Sequence, residues 1–256
     1  MSTLSPKLSS MSNQTLIDLL DRVDRHPGQG ALRSRSYELL DPVAGSRVVD
    51  VGCGAGLAVA ELAALGAEPI GLDVDDHVIV VARSRHPGLE FHRADACDLP
   101  FGDGELAGYR ADKVYHDLAD PARAAAEAWR VLAPGGRIVL VGQDWDTFVI
   151  DSDDPALTRA MVAARADTVP SPHAARRHRN LLLDAGFEDV TVEVRTGVFT
   201  DGSLLPMVTG VAEGAYAAGA VTRWQADDWI AEQTGRARRG RLFLAVPMFL
   251  AAARRP

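Results

Sequence analysis

The stretch Val48-Val49-Asp50-Val51-Gly52-Cys53-Gly54-Ala55-Gly56-Leu57 decides the fold of this chain. A short apolar strand pattern that contains one acid runs into glycines at alternate positions, and an Ala- and Leu-rich helix pattern follows. Glycine takes positive φ without a Cβ penalty and lets the backbone come close to a ligand. A glycine loop between a strand and a helix N-terminus therefore predicts an α/β fold with a nucleotide-type binding loop.

The glycine spacing argues against a dinucleotide site. The dinucleotide fingerprint is G-x-G-x-x-G, but here its third position falls on Leu57 and the third glycine is Gly56. Asp50 is a second departure, because a buried acid needs a cationic or hydrogen-bonding partner and NAD offers no cation there. The order from Asp50 to Gly56, acid-x-Gly-x-Gly-x-Gly, resembles motif I of the class I S-adenosylmethionine (SAM) methyltransferases. In that family the loop lies under the methionine and ribose of SAM; a glycine turn of another α/β protein is the alternative.

A second apolar segment, Glu68–Asp75, ends in acids at the distance that one helix and one strand require. A carboxylate at the tip of the second strand accepts hydrogen bonds from both ribose hydroxyls, so we expect Asp73 to bind the ribose with Val74 beside it. Asp73 or Asp75 also suits the N-cap of the helix predicted over 76–83. Both roles are compatible, with Asp73 on the ribose and Asp75 at the cap.

Two further segments extend the resemblance. The residues after a third strand, Asp95-Ala96-Cys97-Asp98-Leu99-Pro100-Phe101, resemble the family's D-A-x-x-L-P-F stretch, in which the acid binds the adenine amino group. Val131–Ile138 resembles its L-x-P-G-G-x turn before the fifth strand, where Pro-Gly-Gly stops a helix. The resemblance spans residues 47–143 and favours the small-molecule branch, such as ubiquinone/menaquinone-type and natural-product methyltransferases. The SAM-binding residues that it implies are Asp50, Gly52, Cys53, Gly54, Gly56, Asp73, Val74, Asp95, Ala96 and Lys113.

The resemblance also implies a Rossmann-like architecture. We expect a seven-stranded, mostly parallel sheet with helices on both faces, over residues 44–256. Residues 1–43 are expected to form an N-terminal helical cover, with a Ser-rich start at 1–13 and helical apolar spacing over 14–23 and 30–40. A helical insertion at 204–239 precedes the last strand, and it is either a lid or a packing element.

Composition limits the partners of the chain. The formal net charge of −8 disfavours nucleic acid as a substrate. Cys53 and Cys97 are too few for a disulfide framework, and no C-x-x-C spacing predicts a metal site. No apolar run resembles a signal peptide or a membrane span. We therefore expect a cytoplasmic monomer or homodimer that acts on a small molecule, with no metal, nucleic-acid or membrane partner.

The catalytic base is the least regular feature of the sequence. In-line methyl transfer gains on the order of 7–11 kcal/mol from orientation, and a base is needed only when the acceptor carries a proton. The segment Ala111–Pro121 resembles the relatives' R-V-L-x-H-L-x-D-P, but their histidine falls on Asp117, and His116 is one place early. One helical position is about 100° of rotation, so the two positions are not equivalent. His116 is a candidate base; the alternatives are a wall of the SAM site or a histidine that faces solvent.

Residues after the fifth strand are candidates for acceptor binding. Asp144 is a second catalytic candidate that would bind an amine or hydroxyl, and the Trp145 indole suits a flat apolar ring. Tyr115, which replaces a leucine of the family pattern, is the other substrate candidate. Two functions follow from the resemblance. One is SAM-dependent methylation of O, N or C in a small apolar or aromatic metabolite, and the other is a SAM-bound enzyme with a different reaction, such as cyclisation.

Overall fold

The computed structural model describes residues 27–256, so the segments 1–13 and 14–23 lie outside the described residues. The strands are β1 (Arg47–Val51), β2 (Glu68–Asp73), β3 (Glu90–Arg93), β4 (Leu106–Asp112), β5 (Leu132–Gln143), β6 (Val149–Ile150), β7 (Glu188–Phe199) and β8 (Leu244–Arg254). The helices are α1 (Pro27–Leu40), α2 (Leu57–Ala64), α3 (Asp76–Arg85), α4 (Pro121–Val131), α5 (Pro155–Ala166), α6 (Ala174–Asp184), α7 (Leu205–Ala217) and α8 (Arg223–Arg238). The helix predicted over 30–40 lies within α1, and the helix predicted over 76–83 is part of α3.

The strands form one sheet in the order β3-β2-β1-β4-β5-β8, with β7 on the far edge of β8. Neighbours among β1–β5 are parallel, whereas β8 runs antiparallel to β5, β6 and β7. Leu244 and Ala245 of β8 pair with both β6 and β7, so β6 continues the line of β5. The predicted mostly parallel sheet is confirmed. The described residues contain eight strands rather than seven, because the two-residue β6 re-forms pairing after β5 ends.

Alternating side chains divide the core between the two faces of the sheet. Val48 lies in the cluster that contains residues of α1 and α2, whereas Val49 lies in the cluster that contains residues of α4 and α6. Successive strand residues point to opposite faces, and each face is covered by helices. The central strands are therefore buried on both sides, and polar groups concentrate where the strands end.

The carboxyl ends of the parallel strands meet at one edge of the sheet. This edge carries Gly52 after β1, Asp73 at the end of β2, Lys113 after β4 and Asp144 after β5. Ligands of open α/β sheets bind at such an edge. Four predicted site residues are thereby brought to one edge from distant parts of the sequence.

The insertion at 204–239 packs as two helices beside α5. Helices α7 and α8 contact each other, and α7 contacts α5. The indole Nε1 of Trp229 in α8 donates a hydrogen bond of 2.9 Å to Thr158 Oγ1 in α5. The packing role is present, while the lid role stays a prediction. Within residues 27–256, no helix has the length and apolar character needed to cross a bilayer, and no cluster of His, Cys, Asp and Glu could hold a metal.

Candidate functional site

The glycine loop takes the backbone conformation that its sequence predicts. Gly52, Gly54 and Gly56 have φ values of 70°, 53° and 88°. A Cβ at Gly52 would lie 2.3 Å from Val114 Cγ2, whereas one at Gly54 would meet no heavy atom within 4 Å. The loop is thus pressed against the end of β4 at Gly52 and opens to space at Gly54. Cys53 is buried, and its backbone N–H donates to the carbonyl of Leu72 at 2.9 Å, which ties the loop to β2.

Asp73 is held in place by backbone donors. The Gly54 N–H donates to its Oδ2 at 3.1 Å, and the Asp75 N–H donates to its Oδ1 at 3.0 Å. Burial raises the pKa of Asp73, while these two hydrogen bonds act in the opposite direction. Asp75 caps α3 by accepting from the His77 N–H at 2.8 Å, as predicted. The ribose role of Asp73 stays a prediction.

A cavity of about 320 Å³ opens beside the loop. Five predicted cofactor residues line it, namely Gly52, Asp73, Val74, Asp95 and Ala96. Its other lining residues are Val51, Ala94, Cys97, Val114, Asp117, Leu118, Ala119, Asp120 and Arg123. The volume is at the lower end of the range for small-ligand pockets. No residue of α1 or of the insertion lines this cavity within the described part of the chain.

Asp50 meets a cation that the sequence analysis missed. Its carboxylate is buried and bonds Arg110 Nη1 at 2.6 Å, because β1 and β4 place the two residues side by side. Arg110 also donates to Asp112 Oδ2 at 2.9 Å and to Ser36 Oγ at 2.8 Å. Lys113, at φ 62°, donates from Nζ to Asp112 Oδ1 at 2.8 Å. The partner expected of Asp50 is therefore an arginine of the protein, and a charged residue inside an apolar strand was its signal.

His116 lies behind the cavity wall rather than in it. It belongs to a 3₁₀ turn, Tyr115–Asp117, and its Nε2 lies 3.4 Å from Asp117 Oδ2. Burial lowers the pKa of His116, with Asp117 acting against that shift, so the imidazole is neutral at neutral pH. Asp117 is one of the residues that line the cavity. Sequence reasoning missed Asp117 as a functional residue, although the family's histidine aligned with it.

Tyr115 and Trp145 occupy different environments. Tyr115 is buried in the core, with its hydroxyl 3.5 Å from the hydroxyl of Tyr109 and its ring 5.7 Å from that of His178. It does not reach the cavity, so the geometry gives no support to its substrate role. Trp145 is partly buried, and its ring lies 5.7 Å from His116 and 5.3 Å from Phe148. Trp145 keeps its place as a candidate on the acceptor side.

Asp144 is occupied by protein groups. Arg176 donates to it from Nε and also from Nη2, the latter to Oδ1 at 2.7 Å. The same Oδ1 accepts from the Asp146 N–H at 3.1 Å and caps the 3₁₀ turn Trp145–Thr147. Asp144 is fully buried and does not line the cavity. Its geometry suits positioning of this turn rather than proton transfer.

Comparisons by sequence find methyltransferases. A methyltransferase-domain family model matches residues 49–140. A Streptomyces fradiae protein, described as an uncharacterized 37.1 kDa protein in transposon TN4556, is 32% identical over 99% of this chain and 75% of its own length. The O-methyltransferase cnsE of Penicillium expansum is 35% identical over 60% of this chain and 56% of its own length. The demethylmenaquinone methyltransferase of Clavibacter sepedonicus is 39% identical over 39% of this chain and 42% of its own length. The chain therefore spans about half of these last two proteins.

Solved structures share the fold at low sequence identity. The YcgJ protein of Bacillus subtilis has a TM-score of 0.61 at 17% identity, covering 87% of this chain and 97% of that one. The [4+2]-cyclase SpnF has a TM-score of 0.55 at 21% identity, covering 91% of this chain and 86% of that one. At these identities the likeness concerns the fold.

Proposed function

The chain belongs to the class I S-adenosylmethionine-dependent methyltransferases, and from this premise we propose that it transfers the SAM methyl group to O, N or C of a small apolar or aromatic metabolite. SAM is the methyl donor of this family, and S-adenosylhomocysteine is its product. The observation that carries the proposal is the position of Asp73 on the cavity wall beside Gly52, with its carboxylate oriented by two backbone N–H groups. The relatives by sequence are named for a natural-product-type O-methylation and a quinone methylation, which supports these acceptor classes.

The residues at this edge support a placement of SAM along the cavity. Gly54, with open space at its Cα, would let the loop approach the methionine and ribose, and Asp73 would accept from the ribose hydroxyls. Asp95 and Ala96, which also line the cavity, would bind the adenine. When bound, SAM supplies an electrophilic methyl group on a sulfonium. The chain's own contribution is to hold the acceptor in line with that methyl group and to exclude water.

Proton removal from a hydroxyl acceptor is assigned to the Asp117–His116 pair. Asp117 faces the cavity, and the buried, neutral imidazole of His116 lies 3.4 Å behind its carboxylate. A carboxylate within hydrogen-bond reach of an acceptor hydroxyl can act as a general base. Asp144 is a weaker candidate because Arg176 binds its carboxylate.

Cyclisation without methyl transfer is less well supported. The cyclase SpnF is similar to this chain in fold, at 21% identity. The sequence relatives whose names state a reaction are methyltransferases. The cyclase alternative is therefore not favoured.

Calorimetry with SAM and S-adenosylhomocysteine tests the cofactor site. We expect both to bind wild type, and D73A to bind them about 100-fold more weakly, because two hydrogen bonds to a charged group are lost. D75N is the matched control: it changes the neighbouring acid, keeps a good N-cap residue, and should retain wild-type affinity. Equal SAM affinity in D73A and D75N, or tight NAD binding without SAM binding, would contradict the proposed site.

Release of S-adenosylhomocysteine in the presence of phenols, hydroquinones and amines tests the reaction and the base. With a hydroxyl acceptor, D117N is expected to lower kcat by about 100-fold or more, and H116Q by less, since His116 acts through Asp117. SAM affinity should stay within about twofold in both variants, because neither change removes a cofactor contact proposed above. An unchanged kcat in D117N would remove the pair from the mechanism, while methyl transfer itself would stand.

A further inference from the structure

Arg165 is a half-buried cation that has no ionic partner in the described part of the chain. It lies in the last turn of α5, and within residues 27–256 its guanidinium forms no ion pair and donates one hydrogen bond, from Nη1 to Thr168 Oγ1 at 2.6 Å. Burial lowers its pKa, and the more distant Asp117 acts against that shift. Arg176 on the next helix is more exposed, and yet Asp144 binds it. A buried charge is costly without a partner, so the isolation of Arg165 needs an explanation.

The surroundings of Arg165 hold its side chain in a defined place. Its Cζ lies 4.5 Å from the ring centre of Trp145, in a cation–π contact. On the other side is Gly214 of α7, where a Cβ would lie 2.5 Å from Arg165 Cδ. The insertion therefore leaves room for this arginine at that position. The Trp145 ring and the space at Gly214 therefore hold the guanidinium in one position before a ligand binds.

The unused groups around Arg165 are donors. Nε and Nη2 of Arg165 have no acceptor among the described residues, and the buried Nε1 of Trp145 has none either. Arginine presents a planar fork of N–H groups that matches the paired oxygens of a carboxylate or a phosphate. What these donors lack is an acceptor with negative charge.

The cluster lies next to the reaction site proposed above. The Trp145 ring that Arg165 covers is 5.7 Å from the His116 ring, and His116 contacts Asp117 on the cavity wall. A group bound at Arg165 would therefore leave the rest of its molecule within reach of Asp117. We propose that the methyl acceptor carries a carboxylate or phosphate group and that Arg165, stacked on Trp145, binds it. This inference rests on the proposed methyl transfer, since it names the acceptor class of that site.

Calorimetric titration of the protein saturated with S-adenosylhomocysteine tests the inference. The probes are sodium benzoate and sodium pyrophosphate, titrated separately. Wild type is expected to bind at least one of them, and R165M to bind it about tenfold more weakly or worse, because a charge-assisted pair is lost. The probe that binds tells whether the acceptor group is a carboxylate or a phosphate. R159M, an exposed arginine on the same helix, is the matched control and should bind like wild type.

A second pair of variants keeps the charge of Arg165. One of them displaces the Arg165 side chain, and the other is its control. G214A places a methyl group against Arg165 Cδ and should weaken probe binding as R165M does. G210A, on the same helix with no atom within 4 Å of its added Cβ, should have no effect. Alanine has a higher helix propensity than glycine, so both variants are expected to fold.

Three outcomes would overturn the inference. Wild type could bind neither probe, or R165M and G214A could bind the probe as tightly as their controls. A third is that R165M loses affinity for S-adenosylhomocysteine itself, which would make Arg165 a cofactor residue. In the first two cases intact S-adenosylhomocysteine binding would leave the proposed function standing. If wild type did not bind S-adenosylhomocysteine, the proposed function itself would fail.

Discussion

Two regions of the same sheet edge treat buried polar groups in opposite ways. The cofactor region comprises the glycine loop 52–56, Asp73 and the buried Asp50–Arg110 cluster, and its polar side chains are paired. The acceptor region comprises the turns 115–117 and 145–147 with Gln143, Arg165 and His178. There Gln143 Oε1, Trp145 Nε1 and His178 Nδ1 are buried without a hydrogen-bond partner among the described residues.

The contrast separates polar groups that the protein itself pairs from polar groups that it leaves unpaired. A site for a fixed ligand is served by groups that the protein itself holds in place, as backbone N–H groups hold Asp73. Unpaired buried groups are costly, and those of the acceptor region are suited to pairing with a bound molecule. Under the proposed function, the reaction class is therefore inferred from the cofactor region and the substrate class from the acceptor region.

Arg110→Met should break the cofactor region most severely. Removing the guanidinium leaves the carboxylates of Asp50 and Asp112 buried beside each other, and we expect the free energy of unfolding to fall by about 3–5 kcal/mol. Guanidinium chloride denaturation measures this change. The double variant D50N/R110M should recover part of the loss, because one of the stranded charges is gone. A loss below about 1 kcal/mol in R110M would mean that the cluster is not a stabilising pair.

Gly52→Ala tests the close approach within the same region. A positive φ costs alanine about 1–2 kcal/mol, and the contact with Val114 Cγ2 adds about 1–3 kcal/mol. In a V114A background the contact with Val114 is gone, so the free energy of unfolding should recover by that amount. The cost of the positive φ should remain. Gly54→Ala, with open space at its Cβ, should show the φ cost alone. If V114A gives no recovery, the loop does not rest on β4 as described.

His178→Phe sharpens the acceptor side of the comparison through pH. Burial lowers the pKa of His178 to about 3, below its unfolded value of 6.5, so the unfolded chain takes up protons first. This contribution to stability is complete above about pH 6.5 and is lost as the pH falls toward 3, by up to about 1.4 kcal/mol per pH unit. The variant should lose that slope between about pH 6 and pH 5 in urea denaturation.

The exposed His77→Gln serves as the control for His178 and should keep the wild-type pH slope. Phenylalanine retains a ring against Tyr115, which preserves the edge contact seen for His178. If the free energy of unfolding changes equally with pH in H178F and wild type, the pKa of His178 does not differ between the folded and unfolded states.

Backbone structure followed from the sequence where local chemistry specifies it. Helix α5 begins where the local sequence specifies a start, because Asp154 caps it and a proline follows the cap. Thr222 and Gln225 form a capping box at the start of α8. The fifth strand was predicted to start after the Pro-Gly-Gly turn at 134–136, but in the structure it starts earlier. It begins at Leu132 because Gly135 and Gly136 pair with Arg255, a contact between distant residues that no local pattern contains.

Side-chain partners could not be read from the sequence in the same way. The acid of motif I was visible, but its partner Arg110 is brought beside it by the register of two strands. Asp117 was visible as an aligned position, and its place on the cavity wall depends on a 3₁₀ turn. No sequence pattern pointed to Arg165, because its distinguishing feature is that it has no ion-pair partner among the described residues.

The hydrogen bond from Arg110 Nε to Ser36 Oγ limits how far the chain can be shortened. Ser36 is fully buried in α1, ahead of the first strand, and it completes the coordination of a cation inside the sheet. Trimming to the start of β1 would remove both Ser36 and the Tyr37 ring that contacts Arg110, and would open this cation to water. Any shorter version made for crystallisation must therefore begin upstream of Ser36, although the matched family segment begins only at residue 49.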